Sequence, residues 1–157
     1  MYDHSQQRQA LKQIFRSSRE HYLLDQHQYD EWGLTPEKWW EYTNSSNPEH
    51  YKVVANCTHA PAECLVAIYG REECERIDKL MLAINPGSPN ELLLKMIADA
   101  LQNHDEHWIV KLLRWILPNP NLSDQDFDEV CMSARKQMPH SDELEQAIKD
   151  ATRDRVQ

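Results

Sequence analysis

Apolar positions recur at helical spacing along most of the chain. Leu92, Met96 and Ala100 follow one another every four residues, which predicts one buried face of a helix. The segment 108–117 is the most apolar, and we expect a central helix there that is covered on two sides. The only strand-like run, 65–69, is too short to stand without partners. The pattern therefore predicts an all-α fold.

Turn signals separate the predicted helices. Ser88 followed by Pro89 and Glu91 predicts a helix start with a capping box, in which the serine and glutamate side chains satisfy backbone donors. Gly70 is placed to end a helix in the left-handed conformation. Further helix starts are predicted at Asp105, Ser123 and Ser141.

The turn before Ser88 recurs along the chain. The segment 85–96 matches 119–130 position by position, and a looser copy occupies 55–65. Aligned in this way, Asn56, Asn85 and Asn119 are spaced 29 and 34 residues apart. Periods of this length are typical of stacked helical repeats, each too small to bury its apolar face alone.

These residues resemble the leucine-rich repeat variant family, a relative of the HEAT-type helical repeats. The best matches are Leu82-Ala83-Ile84-Asn85-Pro86-Gly87-Ser88-Pro89-Asn90-Glu91-Leu92 and Val53-Val54-Ala55-Asn56. The similarity covers roughly residues 35–138. It implies a short right-handed α-helical solenoid in which each repeat alternates an α-helix with a shorter helical turn, and it implies little about partners.

The predicted organisation is a single domain over residues 1–157. Residues 1–33 are expected to form one long polar helix, which is either the cap of the solenoid or a separate arm that contacts a partner. Residues 34–138 hold the repeats, and 141–157 form a C-terminal helix whose acidic start and basic end suit the helix dipole.

Composition narrows the possible functions. A net charge of −9 argues against direct binding of nucleic acid, which needs clustered Lys and Arg. No apolar run approaches the ~20 residues that a membrane helix needs, and the N-terminus lacks the apolar core of a secretion signal. Four irregularly spaced cysteines do not form a disulfide framework. We therefore expect a reduced, cytoplasmic location.

One group of residues could bind a metal. Cys57, His59, Cys64 and Cys74 offer thiolate and imidazole ligands for a zinc ion or an iron–sulfur cluster. The resemblance adds some weight, because the variant-repeat family includes a cysteine-bound iron–sulfur module. The alternative interpretation is that the thiols are buried as small apolar side chains, since only Cys57 and His59 are close neighbours in sequence.

A second polar cluster, residues 104–107, contains two histidines around Asp105 and Glu106. It could bind a divalent metal or carry acid–base chemistry, or Asp105 could simply cap a helix. A phosphate-binding glycine loop, a zinc-protease motif and a nucleophile elbow are all missing from the sequence. We therefore predict no enzyme activity.

The remaining candidates point to protein binding. Trp39 and Trp40 are adjacent and cannot share one helix face, so one is expected in the core and the other at least partly exposed or under a neighbouring helix. They could anchor a partner, or both could pack within the N-terminal repeat. Asp126 and Glu129 lie in an acidic segment whose charges could simply favour a helix N-terminus or could recruit a basic protein. The predicted function is a non-enzymatic protein–protein interaction module. The alternatives are a Cys/His metal-binding or iron–sulfur redox module, and an acidic inhibitor that mimics nucleic acid.

Overall fold

The computed structural model describes residues 36–156, and this part of the chain forms eight α-helices without a strand. The helices are α1 Pro36–Thr43, α2 Pro48–Ala55, α3 Ala62–Tyr69, α4 Arg76–Ile84, α5 Asn90–Asn103, α6 Glu106–Ile116, α7 Asp124–Gln137 and α8 Asp142–Val156. The prediction of an all-α fold is confirmed. The predicted N-terminal helix, within residues 1–33, lies outside the described residues.

Consecutive helices pack as pairs, α1 with α2, α3 with α4, α5 with α6 and α7 with α8. The even-numbered helices also contact one another in sequence order, from α2 to α4 to α6 to α8, and we call them the even row. The odd-numbered helices form the odd row, in which α1 contacts α3 and α5 contacts α7. As expected for the most apolar segment, α6 is central, because it contacts α4, α5 and α8.

One apolar core runs through all the helix pairs. Leu92, Met96 and Ala100 are buried, as their spacing predicts. Three polar side chains in the turns are also fully buried, those of Asn85, Ser88 and Asn119. Because buried polar groups need hydrogen-bond partners, these three side chains must bond to other parts of the fold, which apolar periodicity does not reveal.

Three predicted helix starts are confirmed by their hydrogen bonds. Asp105 accepts from the backbone N–H of Trp108 at 3.2 Å, Ser123 accepts from that of Asp126 at 3.1 Å, and Ser141 accepts from that of Leu144 at 3.1 Å. Each side chain satisfies one of the donors that a helix start leaves without a partner.

The prediction of a capping box at Ser88 is wrong. Pro89 is the N-cap residue of α5, and the hydroxyl of Ser88 instead donates to the carbonyl of Leu82 at 2.7 Å. The left-handed ending predicted at Gly70 is also wrong, because that residue has φ −77°. The left-handed residue is His104, with φ 56°, after α5.

Candidate interaction surface

The turn that follows α4 is tied to the turn that follows α2 by one side-chain amide. The Nδ2 of Asn85 donates to the carbonyls of Ala55 and Cys57, both at 2.9 Å. Its Oδ1 accepts from the backbone N–H of Gly87 at 2.8 Å. The amide therefore uses both of its ends in a site without solvent exposure.

Asn119 repeats this arrangement one helix pair later. Its Nδ2 donates to the carbonyls of Ala83 and Asn85 at 2.8 and 3.1 Å, and its Oδ1 accepts from the N–H of Asn121 at 3.0 Å. In both cases the acceptors are two residues apart, and in both cases they lie where an even-row helix ends. The asparagines thus fix the spacing between successive even-row helices.

Arg155, near the end of α8, makes the third link of the same kind. Its guanidinium donates to three carbonyls and one carboxylate, those of Leu117 at 3.3 Å, Asn119 at 3.4 Å, Leu122 at 2.7 Å and Asp124 at 2.7 Å. It also lies over the ring of Phe127, 4.7 Å from the centroid. We call Asn85, Asn119 and Arg155 the ladder. No sequence signal pointed to Arg155.

The ladder corrects the alignment of the repeats. Asn56 does not correspond to Asn85, because its Nδ2 donates to the carbonyl of Lys52 in its own helix, at 2.7 Å. The residue in the equivalent place is Cys57, whose carbonyl accepts from Asn85. The structural intervals are therefore 28 and 34 residues, rather than 29 and 34.

The odd row carries three of the large apolar side chains that are exposed in the described residues. Trp40 on α1 is 45% exposed, Val66 on α3 is 47% exposed and Met132 on α7 is 69% exposed. Trp39 is half-buried and packs against the core. Exposed large apolar side chains thus occur on three of the four odd-row helices.

Asp126 and Glu129 have different surroundings. The Oδ2 of Asp126 accepts from Asn90 Nδ2 and from Ser123 Oγ, both at 2.7 Å, and these hydrogen bonds hold the pKa of Asp126 below its ordinary value. Asp126 thereby joins the start of α7 to that of α5. Glu129 is exposed, and its carboxylate accepts a hydrogen bond from Gln125 at 3.4 Å. Of the two predicted residues, Glu129 is the one available to a partner.

Three residues of α7 together form an exposed patch. Asp128 and Glu129 lie four and three residues before Met132, so all three share one side of the helix. In the described part of the chain, neither carboxylate is paired with a Lys or Arg. We call Asp128, Glu129 and Met132 the α7 patch.

The predicted metal ligands are in unlike environments. Cys57 and Cys64 are buried, Cys74 is half-buried and His59 is exposed. Burial raises the pKa of Cys64, and raises that of Cys74 to about 11, which disfavours the thiolate form that binds metals. Over residues 36–156, the structure groups no three His, Cys, Asp or Glu side chains so that they could hold a metal ion.

The cluster at residues 104–107 caps and joins helices. Asp105 caps α6 and also accepts from Arg76 at 2.9 Å. The hydrogen bond from the Trp108 N–H, together with Arg76, lowers the pKa of Asp105. His104 Nδ1 lies 3.2 Å from Gln137 Nε2, so this turn also contacts the end of α7.

A groove of about 410 Å³ lies between the start of α6 and the turn that joins α7 to α8. Its lining consists of Glu106, His107, Val110, Met138, Pro139, His140, Ser141 and Glu143. Sequence reasoning missed this groove, because the two segments that form it are about thirty residues apart.

Comparison of the chain with protein-family models, curated proteins and solved structures finds no match. Among the helices of residues 36–156, none has the length and apolar character needed to cross a membrane. Proposals about function therefore depend on the residues and contacts described above.

Proposed function

We propose that this protein is a non-enzymatic binding module, built as a short α-helical solenoid, whose odd row binds a basic protein. The observation that supports this most strongly is the α7 patch. Its Met132 is more than two-thirds exposed and lies one helical turn after two carboxylates that have no Lys or Arg partner in the described residues. A flexible thioether beside unpaired charges suits contact with Lys- or Arg-rich surfaces.

The distribution of charge favours the odd row over the even row. The helices α1, α3, α5 and α7 carry nine Asp or Glu and four Lys or Arg. The helices α2, α4, α6 and α8 carry eight of each. A basic partner is therefore attracted to the odd row by charge, and the attraction should weaken as salt increases.

The ladder supports the proposal that the helices form a preorganised scaffold. A binding surface whose helices are held at fixed spacing loses less conformational entropy on binding. Hydrogen bonds at Asn85, Asn119 and Arg155, which are buried at the two asparagines and partly buried at Arg155, hold successive helix pairs in this way. A repeat scaffold of the leucine-rich repeat variant or HEAT kind would use such a row of helices as one extended surface.

Affinity capture with matched variants tests this function. One bait carries Asp128→Asn, Glu129→Gln and Met132→Ser in the α7 patch. The control bait carries Glu49→Gln, Glu72→Gln and Ile77→Ser, which remove two exposed carboxylates and one exposed apolar side chain at positions outside the odd row. The lysate comes from the source organism and is treated with nuclease.

The proposal predicts a stoichiometric, salt-sensitive protein partner that the wild type and the control bait capture and the patch bait loses. A partner that handles DNA or RNA would favour the alternative of an acidic inhibitor that mimics nucleic acid. Capture that is equal for both variant baits, or that nuclease abolishes, would contradict the proposal.

A further inference from the structure

The groove between α6 and the α7–α8 turn has two chemically distinct parts. Val110 and Met138 form an apolar floor and are almost fully buried, and Pro139 adds an apolar wall. Glu106 and Glu143 are exposed at the lining of the same groove. A volume of about 410 Å³ falls within the ordinary range of ligand sites, which is about 300–1,000 Å³.

The two carboxylates of the groove are available for a ligand. In the part of the chain that the structure describes, neither Glu106 nor Glu143 makes a side-chain hydrogen bond or an ion pair. The groove is lined by no Lys or Arg among the described residues. Its ionisable lining consists of these two glutamates with His107 and His140, so the groove is negative whenever the imidazoles are neutral.

We propose that this groove binds an arginine side chain from a basic protein segment. The aliphatic stem of the arginine lies over Val110 and Met138, and the guanidinium lies between Glu106 and Glu143. Long cationic side chains bind in this way because the stem is apolar and only the head is charged. Arginine is preferred to lysine because its planar guanidinium is less strongly hydrated and carries donors on more than one edge.

The groove is a separate site from the α7 patch, with which it shares no lining residue. This inference builds on the proposed basic partner, but it concerns a separate set of residues and is tested separately.

The test is an NMR titration of the full chain at pH 8, where histidine is ordinarily neutral. The probes are N-acetyl-arginine amide and its neutral isostere N-acetyl-citrulline amide, with N-acetyl-lysine amide as a third ligand. Signals of Val110, Met138 and Ser141 report on the groove. We expect saturable shifts with arginine in the millimolar range, since one side chain in an open groove binds weakly.

Two double variants test whether the arginine binds in the groove. Glu106→Gln with Glu143→Gln should weaken arginine binding about three- to tenfold, the range expected for two largely exposed charge pairs. Asp128→Asn with Glu129→Gln should leave it unchanged, so failure of the groove can be told from failure of the α7 patch. Equal shifts with citrulline, no saturation with arginine, or full binding by the Glu106/Glu143 variant would each overturn the proposal. Spectra of both variants confirm that they are folded.

Discussion

Replacing Asn85 with alanine tests the ladder most sharply, because Asn56 provides a matched control. The two asparagines are equivalent in the sequence repeat but have different surroundings in the structure. Asn85 is fully buried and bridges two turns, whereas Asn56 is half-buried and its side chain, among the described residues, donates to the carbonyl of Lys52 one turn earlier in α2. The sequence alignment therefore predicts similar effects of the two substitutions, and the structure predicts different ones.

The expected cost of Asn85→Ala follows from its hydrogen bonds. Three are lost, to Ala55, Cys57 and Gly87. The Cys57 carbonyl keeps a bond from the Ala60 N–H, so the main penalty falls on the groups at Ala55 and Gly87. With about 1–3 kcal/mol for each buried group left without a partner, the free energy of unfolding should fall by about 3 kcal/mol.

Asn56→Ala should cost less than about 1 kcal/mol, because solvent can replace its single bond. Urea unfolding followed by circular dichroism measures both values. With a slope of about 1–3 kcal/mol per M, the Asn85 variant should lose roughly 1–3 M in its unfolding midpoint. If the two variants unfold within about 0.5 kcal/mol of each other, the reasoning about buried bridging amides is refuted.

Three further predictions use the same unfolding assay. Arg155→Lys should lower the free energy of unfolding by about 1–3 kcal/mol although the charge is kept. The reason is that an ammonium group cannot bond all four acceptors of the guanidinium. An unchanged free energy of unfolding would contradict the assignment of Arg155 to the ladder. His104→Gly should raise the free energy of unfolding by up to about 1 kcal/mol, because glycine adopts the left-handed backbone conformation of this position without strain. Gln102→Gly inside α5 should lower it by about 1 kcal/mol, and changes of the same sign in the two variants would contradict this prediction. The pKa of Asp126 is lowered in the folded state, so its contribution is complete above the ordinary aspartate pKa and is lost as the pH falls through the lower folded value. Asp126→Asn should therefore flatten the loss of stability as the pH falls below about 4, the ordinary aspartate pKa, and an equally steep loss would contradict this.

Much of the fold could be predicted from the sequence, because apolar spacing and cap residues act locally. The buried face of α5 and the starts at Asp105, Ser123 and Ser141 are examples. Ser88 does not cap α5, although its sequence context predicts a cap. Its hydroxyl is fully buried and donates instead to the carbonyl of Leu82, six residues earlier.

The ladder is harder to predict for a different physical reason. Its donors are particular side chains, but its acceptors are backbone carbonyls, which every residue has. A cysteine at position 57 therefore serves as well as an asparagine, and aligning Asn56 with Asn85 misplaces the repeat by one residue. Arg155 donates from within α8 to two carbonyls at the end of α6, as each asparagine does at the end of an earlier even-row helix, because its longer side chain reaches that far.

The interaction surface was only partly predictable. The acidic character of α7 is visible in sequence, but the choice between Asp126 and Glu129 depends on Asn90, which lies thirty-six residues from Asp126. The groove depends on two segments that only the fold brings together, although His107 and His140 are its visible markers in the sequence.

Site-specific photo-crosslinking in a lysate of the source organism tests the central claim most directly. A photoreactive amino acid replaces Met132 on the odd row in one sample and Ile77, an exposed residue of α4 on the even row, in another. We predict a discrete protein adduct from position 132 that decreases when salt is added to the lysate before irradiation, and little adduct from position 77. An adduct from position 77 without one from position 132 would contradict the proposal that the odd row is the binding surface.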